Sequence, residues 1–205
     1  MPKKFTDQEK VRIQAKLKET GKRLFEALGL QKTSVADITK PTGIAQGSFY
    51  LFYESKEALY FEIVQEEEER IRKQLFDSYL ESGTMTRERF RQFVRESVRT
   101  IEQSPVLRQL YDEQLVETLF RKLPPELLEA HFAEDANALA PFLERGRREG
   151  WLADKDPETV VSLIRSLVLF VLQKERIGER HYEATLELLI ECVAKGLIVE
   201  KGDPL

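Results

Sequence analysis

The sequence is poor in the residues that staple, interrupt or metallate a fold. Cys192 is its one cysteine in 205 residues. A lone cysteine excludes an internal disulfide and fits a reducing compartment. Core or interface filler is its expected role, with a redox sensor as the alternative. His131 and His181 have no ligand spacing around them, and a metal site needs three or four convergent donors. No metal site is therefore expected. No run of about 18 uncharged apolar residues exists to span a bilayer. The start, Met1-Pro2-Lys3-Lys4-Phe5, has no apolar signal core behind it, so a cytoplasmic protein is expected. No Ser/His/Asp order, glycine-rich phosphate loop or catalytic carboxylate pair can be argued, so neither enzyme activity nor a cofactor is expected. Gly and Pro are few and long alternating strand patterns are missing, which leaves an all-α chain.

What is present suits helices with one buried and one solvated face: 41% hydrophobic and 33% charged residues. The length allows one domain plus a small one. The net charge of −4 is unevenly spread. Residues 1–60 hold 11 Lys/Arg and 7 Asp/Glu, a balance of 11 − 7 = +4. Residues 61–205 hold 21 and 29, a balance of 21 − 29 = −8. The positive part suits phosphate; the acidic remainder should point away from it.

Residues 33–56 carry the strongest local pattern. Thr33 or Ser34 can cap a short helix with Val35 and Ile38 inward. Gly43 supplies the freedom of a tight helix–helix turn. A second short helix is expected from Gln46 to about Tyr53, with Phe49 and Tyr53 inward and Gln46, Ser48, Tyr50 and Leu51 outward. Gln can bond an adenine edge, Ser a base or phosphate, and Tyr a phosphate. Gly47 is a close-approach position. Ser55 caps a third helix opening at Lys56, where backbone N–H groups and a cation could hold a phosphate.

This stretch resembles the DNA-binding motif of the tetracycline-repressor-like (TetR/AcrR) transcriptional regulators, roughly T-x-x-x-I-A-x-x-A-G-V-S-x-G-x-x-Y-x-x-F-x-S-K-x-x-L. Ser34, Ile38, Gly43, Ile44, Gly47, Tyr50, Ser55, Lys56 and Leu59 match it, and Tyr53 stands for the usual Phe. The motif covers about the first sixty residues; beyond them the likeness is one of length and helical layout. Thr39 and Thr42 replace small alanines, and Ala45 replaces the Ser that caps the second helix. Pro41 should end or bend the first helix near Lys40, since it lacks an N–H for the Asp37 carbonyl and crowds it. The alternative is a proline tolerated in the last turn.

The resemblance implies a helix-turn-helix DNA-binding head over residues 1–55 and a helical ligand-binding and dimerisation body over 56–205. It implies a homodimer on a palindromic double-stranded operator, a repressor released by a small apolar or amphipathic inducer. Phosphate contacts are expected from Thr33, Ser34, Tyr50 and Lys56 and base contacts from Gln46 and Ser48, with Gly47 and Leu51 on the same surface. An inducer pocket would draw on Phe93, Tyr111, Phe132, Trp151 and Phe170, each of which could equally be core. The alternative function is an all-α small-molecule-binding or sequestering protein that does not read DNA.

Along the chain, residues 1–5 form a basic tail, solvated or touching a neighbouring groove. Thr6 to Glu9 has capping-box spacing. The helix that follows carries Ile13, Leu17, Leu24, Phe25 and Leu28 on one side and ends at Gly29. Lys16, Lys18, Lys22 and Arg23 decorate its other faces. A long helix runs from Lys56, its Glu66–Glu69 run solvated, and joins head to body as a lever. Ser82-Gly83 is a break, Arg87–Gln103 a helix, and Ser104-Pro105 a helix restart. Leu123-Pro124-Pro125 is a stop. A helix over 126–148 should kink at Pro141 and end at Gly150. The stretch after Pro157 is apolar on every side from Leu167, so burial all round is expected. With the last helix, about Tyr182 to Val199, it should build a four-helix dimer interface.

Overall fold

The structure, a computed structural model, describes residues 5–80, 83–200 and 202–203. Ser82 and the tail residues Met1–Lys4 lie outside the described residues. All regular elements described are helical. Helix α1 spans Asp7–Leu28, α2 Val35–Thr42, and a 3₁₀ turn Gln46–Leu51. Helix α3 spans Lys56–Leu75 and runs into a π-helical turn, Phe76–Leu80. Then come α4 (Arg87–Gln103), a 3₁₀ turn (Leu107–Tyr111), α5 (Glu113–Lys122), α6 (Pro125–Glu149), α7 (Pro157–Leu172), α8 (Lys174–Ile177) and α9 (Glu179–Leu197). The all-α class is as expected. Among the described residues no helix is long and apolar enough to cross a membrane.

The chain divides into two compact units, Met1–Glu68 with Pro105–Pro124, and Glu69–Ser104 with Pro125–Leu205. In the first, Thr6 and Glu9 form the expected capping box, and α1 stops at Gly29 with φ 82°. Leu17, Phe25, Ile38, Phe49 and Leu59 are fully buried. Phe25 meets Tyr60 edge-on at 5.4 Å. Leu28, expected inward, is half exposed at the last residue of the helix. The glutamate run is not simply solvated either. Four successive residues cover the whole circumference of a helix, so one must face inward. Glu67 is buried and accepts from Lys22 Nζ at 3.0 Å, while Lys18 bridges Glu62 and Glu66. The lysines on this face of α1 therefore tie it to α3.

In the second unit Thr86 caps α4, and Phe90 and Val94 are buried. Ser104 does not restart a helix. Its N–H closes α4 on the Thr100 and Ile101 carbonyls; α5, which belongs to the first unit, begins only at Glu113, capped by Asp112. Helix α6 continues through Pro141 to Glu149. Trp151 turns back onto Phe142, ring centroids 4.9 Å apart, and Leu152 pairs with Ile198 in an isolated antiparallel bridge. Arg87 locks that end by donating from Nε to the Ile198 carbonyl and pairing with Asp203.

Helix α7 is covered on one side only. Val160, Val161, Leu167 and Val171 are buried, whereas Leu163, Val168 and Leu169 are exposed. Within the chain α6 and α9 cover one face of it, and the other is the face whose burial was expected to come from a second subunit. Leu188 and Cys192 on α9 are exposed as well.

Gly146 is a close approach in this unit: a Cβ there would lie 2.7 Å from the Trp151 ring and from the Leu152 side chain. Gly146→Ala should cost about 1–3 kcal/mol by overpacking and expose the sole tryptophan. Denaturant unfolding followed by tryptophan emission measures both; an unaltered midpoint would contradict this packing.

Candidate nucleic-acid interface

Ser34 begins α2 with a reciprocal box: its hydroxyl accepts from Asp37 N–H, and the Asp37 carboxylate accepts from Ser34 N–H at 2.9 Å. That hydrogen bonding holds the Asp37 carboxyl below its ordinary pKa of 3.8. The helix continues past Lys40 to Thr42, so the expected bend or end at Lys40 does not occur. Pro41 occupies the last turn and faces solvent. Its missing bond leaves only the Asp37 carbonyl without an i+4 donor. Gly43, at φ 78°, closes the helix by donating to the Thr39 and Lys40 carbonyls. Thr42 Oγ1 donates to Ile38 O at 2.8 Å, and Thr39 Oγ1 to Val35 O at 3.0 Å. The two threonines replace small alanines without leaving a buried hydroxyl unpaired.

The next element is a six-residue 3₁₀ turn, Gln46–Leu51, shorter and tighter than the α-helix expected to reach Tyr53. Ala45 offers no side-chain cap. Ser48 N–H instead reaches Ala45 O at 2.9 Å, and Phe52 N–H reaches Phe49 O at 2.9 Å. An uncapped end satisfies its orphan groups by tightening to i→i+3 bonds. Phe49 and Tyr53 point inward, their rings 5.8 Å apart. Gln46 and Gly47 are exposed and Ser48 is half-buried. Tyr50 and Leu51 are 57% and 68% exposed, over a core element whose own Phe49 is fully buried. Gln46, Tyr50 and Leu51 of the expected outward set are thus exposed and Ser48 partly so.

Two expected phosphate contacts do not survive the geometry. Thr33 is 1% exposed and donates its hydroxyl to Gly29 O at 2.8 Å, so it cannot present that proton outward. Lys56 Nζ donates to Leu30 O at 2.7 Å, Thr33 O at 2.8 Å and, at greater length, Gln31 O at 3.4 Å. All three of its protons serve the corner between α1 and α2. Burial lowers its pKa, the Lys122 charge adds to this, and Glu57 opposes it. Lys122 itself pairs with the buried Glu57 carboxylate at 2.8 Å. Ser34 stays exposed, and Ser55 accepts from Ala58 N–H at the start of α3, as expected. Lys32 and Lys40 are exposed on either side of Ser34, make no ion pair among the described residues, and are not among the expected contacts. Their place at the two ends of α2 was the available signal.

Tyr111 lies in the first unit; Phe93, Trp151 and Phe170 lie in the second. The Phe132 side chain lies outside the described residues. Trp151 is buried and donates from Nε1 to Glu149 at 2.9 Å, which makes it core. Phe93 is half-buried among Phe76, Tyr79 and Phe90, with centroids 6.2–6.3 Å away. Phe170 stacks on Tyr182 at 5.8 Å, and Lys174 Nζ sits 4.8 Å from the Tyr182 ring centre. Among the described residues no group of three or more His, Cys, Asp or Glu could hold a metal.

Residues 18–63 match the model of the bacterial regulatory proteins of the tetR family. An uncharacterised helix-turn-helix-type transcriptional regulator of Bacillus subtilis is 37% identical over 62 residues, 30% of this chain and 32% of that protein. The match thus spans about a third of that relative's length. A tetR-family transcriptional regulator from Pectobacterium atrosepticum has the same fold, with TM-score 0.74, 19% identity, and coverage of 96% of this chain and 99% of that one. The repressor of a Stenotrophomonas maltophilia multidrug efflux pump superposes with TM-score 0.62 at 17% identity over 92% of this chain and 91% of its own. RolR, solved with resorcinol, gives 0.65 at 17% over 95% and 99%.

Lys56→Met should cost roughly 2 kcal/mol, as two part-buried carbonyls lose a charged donor. Chemical denaturation tests this, and an unchanged midpoint would return Lys56 to the surface. The Asp37 carboxyl, held below its ordinary pKa of 3.8, stabilises α2 above that pH, and the contribution disappears as pH falls through the folded-state value. Asp37→Asn should lose stability at neutral pH and converge on the parent in acid. Parallel melting curves of the two proteins at every pH would contradict the box.

Proposed function

We propose, from the premise that residues 18–63 are a DNA-binding domain of the tetR family and that the chain folds as the family's solved members do, that this protein is a ligand-responsive transcriptional repressor. The observation that carries the reading is the surface of the 3₁₀ turn. Tyr50 and Leu51 face solvent there beside Gln46 and Ser48, on an element whose other side is locked by Phe49. Exposed large apolar groups with interleaved hydrogen-bonding side chains fit a partner that covers them, and a major groove offers base edges, thymine methyls and phosphates. Gln46 and Ser48 serve as base contacts, Leu51 as an apolar contact, and Tyr50 and Ser34 as phosphate contacts. Lys32 and Lys40 take the phosphate role that Lys56 and Thr33 cannot.

A homodimer supplies the second reading surface. The exposed Leu163, Val168 and Leu169 of α7 and Leu188 of α9 support a two-fold four-helix interface, which would also cover Cys192. Two reading turns in successive major grooves stand about 34–36 Å apart, so the operator is an inverted repeat. Residues 56–205 act as the ligand-binding and dimerisation body. A small apolar or amphipathic inducer bound there, with Phe93 and Phe170 as the candidate wall residues, shifts the separation. Such couplings amount to about 1–3 kcal/mol. The protein works in the cytoplasm, where its duplex partner is.

Selection of duplexes from a random-sequence pool by the purified protein tests this reading and separates it from the helical carrier. An inverted repeat should be enriched; no enrichment at low salt would sink the DNA-binding account. On the selected duplex, Gln46→Ala should lose about 1–3 kcal/mol of discrimination at one base pair per half-site. Equal preference at every position, read by competition gel shift, would remove Gln46 from the base contacts.

A further inference from the structure

The corner between α1 and α2 has a second anchor that the reading surface does not itself reveal. Helix α1 has no basic residue in its last turn, and Gly29 at φ 82°, ψ 161° does not adopt a left-handed helical cap. Gly29 N–H reaches the Phe25 carbonyl at 2.9 Å, which leaves that oxygen's second lone pair and the Leu30 N–H for partners from elsewhere. One side chain supplies both kinds. Gln109 Nε2 donates to Phe25 O at 2.9 Å, 84 residues away along the chain, and to Pro105 O at 3.0 Å. Gln109 Oε1 accepts from Leu30 N–H at 3.0 Å. Leu30 is buried, and its carbonyl is the one nearest Lys56 Nζ. The peptide groups on both sides of Leu30 are thus held, one by a carboxamide and one by an ammonium. The 3₁₀ turn that carries Gln109 is fixed in turn by Tyr60, whose hydroxyl donates to Val106 O at 2.9 Å.

The role needs a donor and an acceptor on one side chain. A carboxylate could accept from Leu30 but would face the Phe25 and Pro105 carbonyls without a proton. A thioether could do neither, leaving a buried N–H orphaned. The corner leads directly into Ser34 and α2, against which the reading turn packs.

We infer that Gln109 is a positioning residue of the reading head: it caps α1 in trans, and through the Gly29–Ser34 corner it sets the placement of α2 and the Gln46–Leu51 turn for DNA. This inference rests on the DNA-binding reading above. Gln109 touches no nucleic acid in this scheme, so its loss should weaken binding without removing a phosphate contact.

The test uses full-length Gln109→Met, a near-isostere without hydrogen-bonding groups, and the duplex selected by the parent protein. Two measurements are made below the melting temperature. Hydrogen exchange at the Leu30 amide should accelerate roughly tenfold or more. Affinity for the selected duplex should fall roughly tenfold, with the slope of log affinity against log salt unchanged. Unaltered Leu30 protection overturns the inference even if the protein proves not to bind DNA. Equal affinity of variant and parent overturns it while leaving the DNA-binding reading intact. A flattened salt slope would make Gln109 a phosphate contact and overturns it as well. Should Gln109→Met fail to fold, Gln109→Glu, which keeps the acceptor for Leu30 N–H and loses both donated bonds, should leave the Leu30 amide protected while affinity still falls; unchanged affinity or lost Leu30 protection overturns the inference.

Discussion

An ammonium aimed at backbone carbonyls holds the head together. Lys56 opens α3, and its Nζ sits within hydrogen-bond reach of Leu30 and Thr33, the two ends of the loop between α1 and α2. A short loop between helices leaves carbonyls that no helix can satisfy, and a charged donor is the strongest single remedy. The grip fixes where Ser34 begins α2, and Gly43 at the other end of α2 fixes where the 3₁₀ turn begins. A lysine used this way is withdrawn from the surface. The motif position that looks like a phosphate contact is thus the keystone of the corner behind it.

The same economy governs the other charges near the head. Lys18 and Lys22 of α1 are spent on Glu62, Glu66 and Glu67 of α3, and Lys122 on the buried Glu57. The basic excess of the first sixty residues is therefore smaller at the surface than a count suggests. Lys32 and Lys40, at the two ends of α2, keep exposed charges without an ion pair among the described residues. Duplex affinity depends on charges that can displace counterions, and a lysine already neutralised by a carboxylate contributes less of that release.

Two groups of exposed apolar side chains differ in chemistry. On the reading turn Leu51 and Tyr50 are interleaved with Gln46 and Ser48, a mixture suited to a partner with its own donors and acceptors. On α7 and α9 the exposed set is aliphatic, Leu163, Val168, Leu169 and Leu188, a composition suited to another aliphatic face. The alternation of buried Leu167 and Val171 with exposed Val168 and Leu169 explains why the helix looks apolar all round although one chain covers half of it.

The sequence by itself determined several caps and inward residues of the head, since Thr6, Ser34, Gly29, Gly43, Phe49 and Tyr53 act through bonds and periodicities only a few residues long. Its charge and motif spacing also located the outward face of the turn at Gln46–Leu51. Only the tertiary structure decided what lies behind that face. It turned Lys56 and Thr33 inward, let α2 run through Pro41 because Gly43 and Thr42 satisfy the neighbouring carbonyls, and tightened an uncapped helix into a 3₁₀ turn. It also brought Gln109 onto Phe25 and Leu30. Partners tens of residues apart leave no periodic trace in a chain. Whether a polar side chain reaches solvent or a carbonyl is settled by which backbone groups the fold has left unsatisfied.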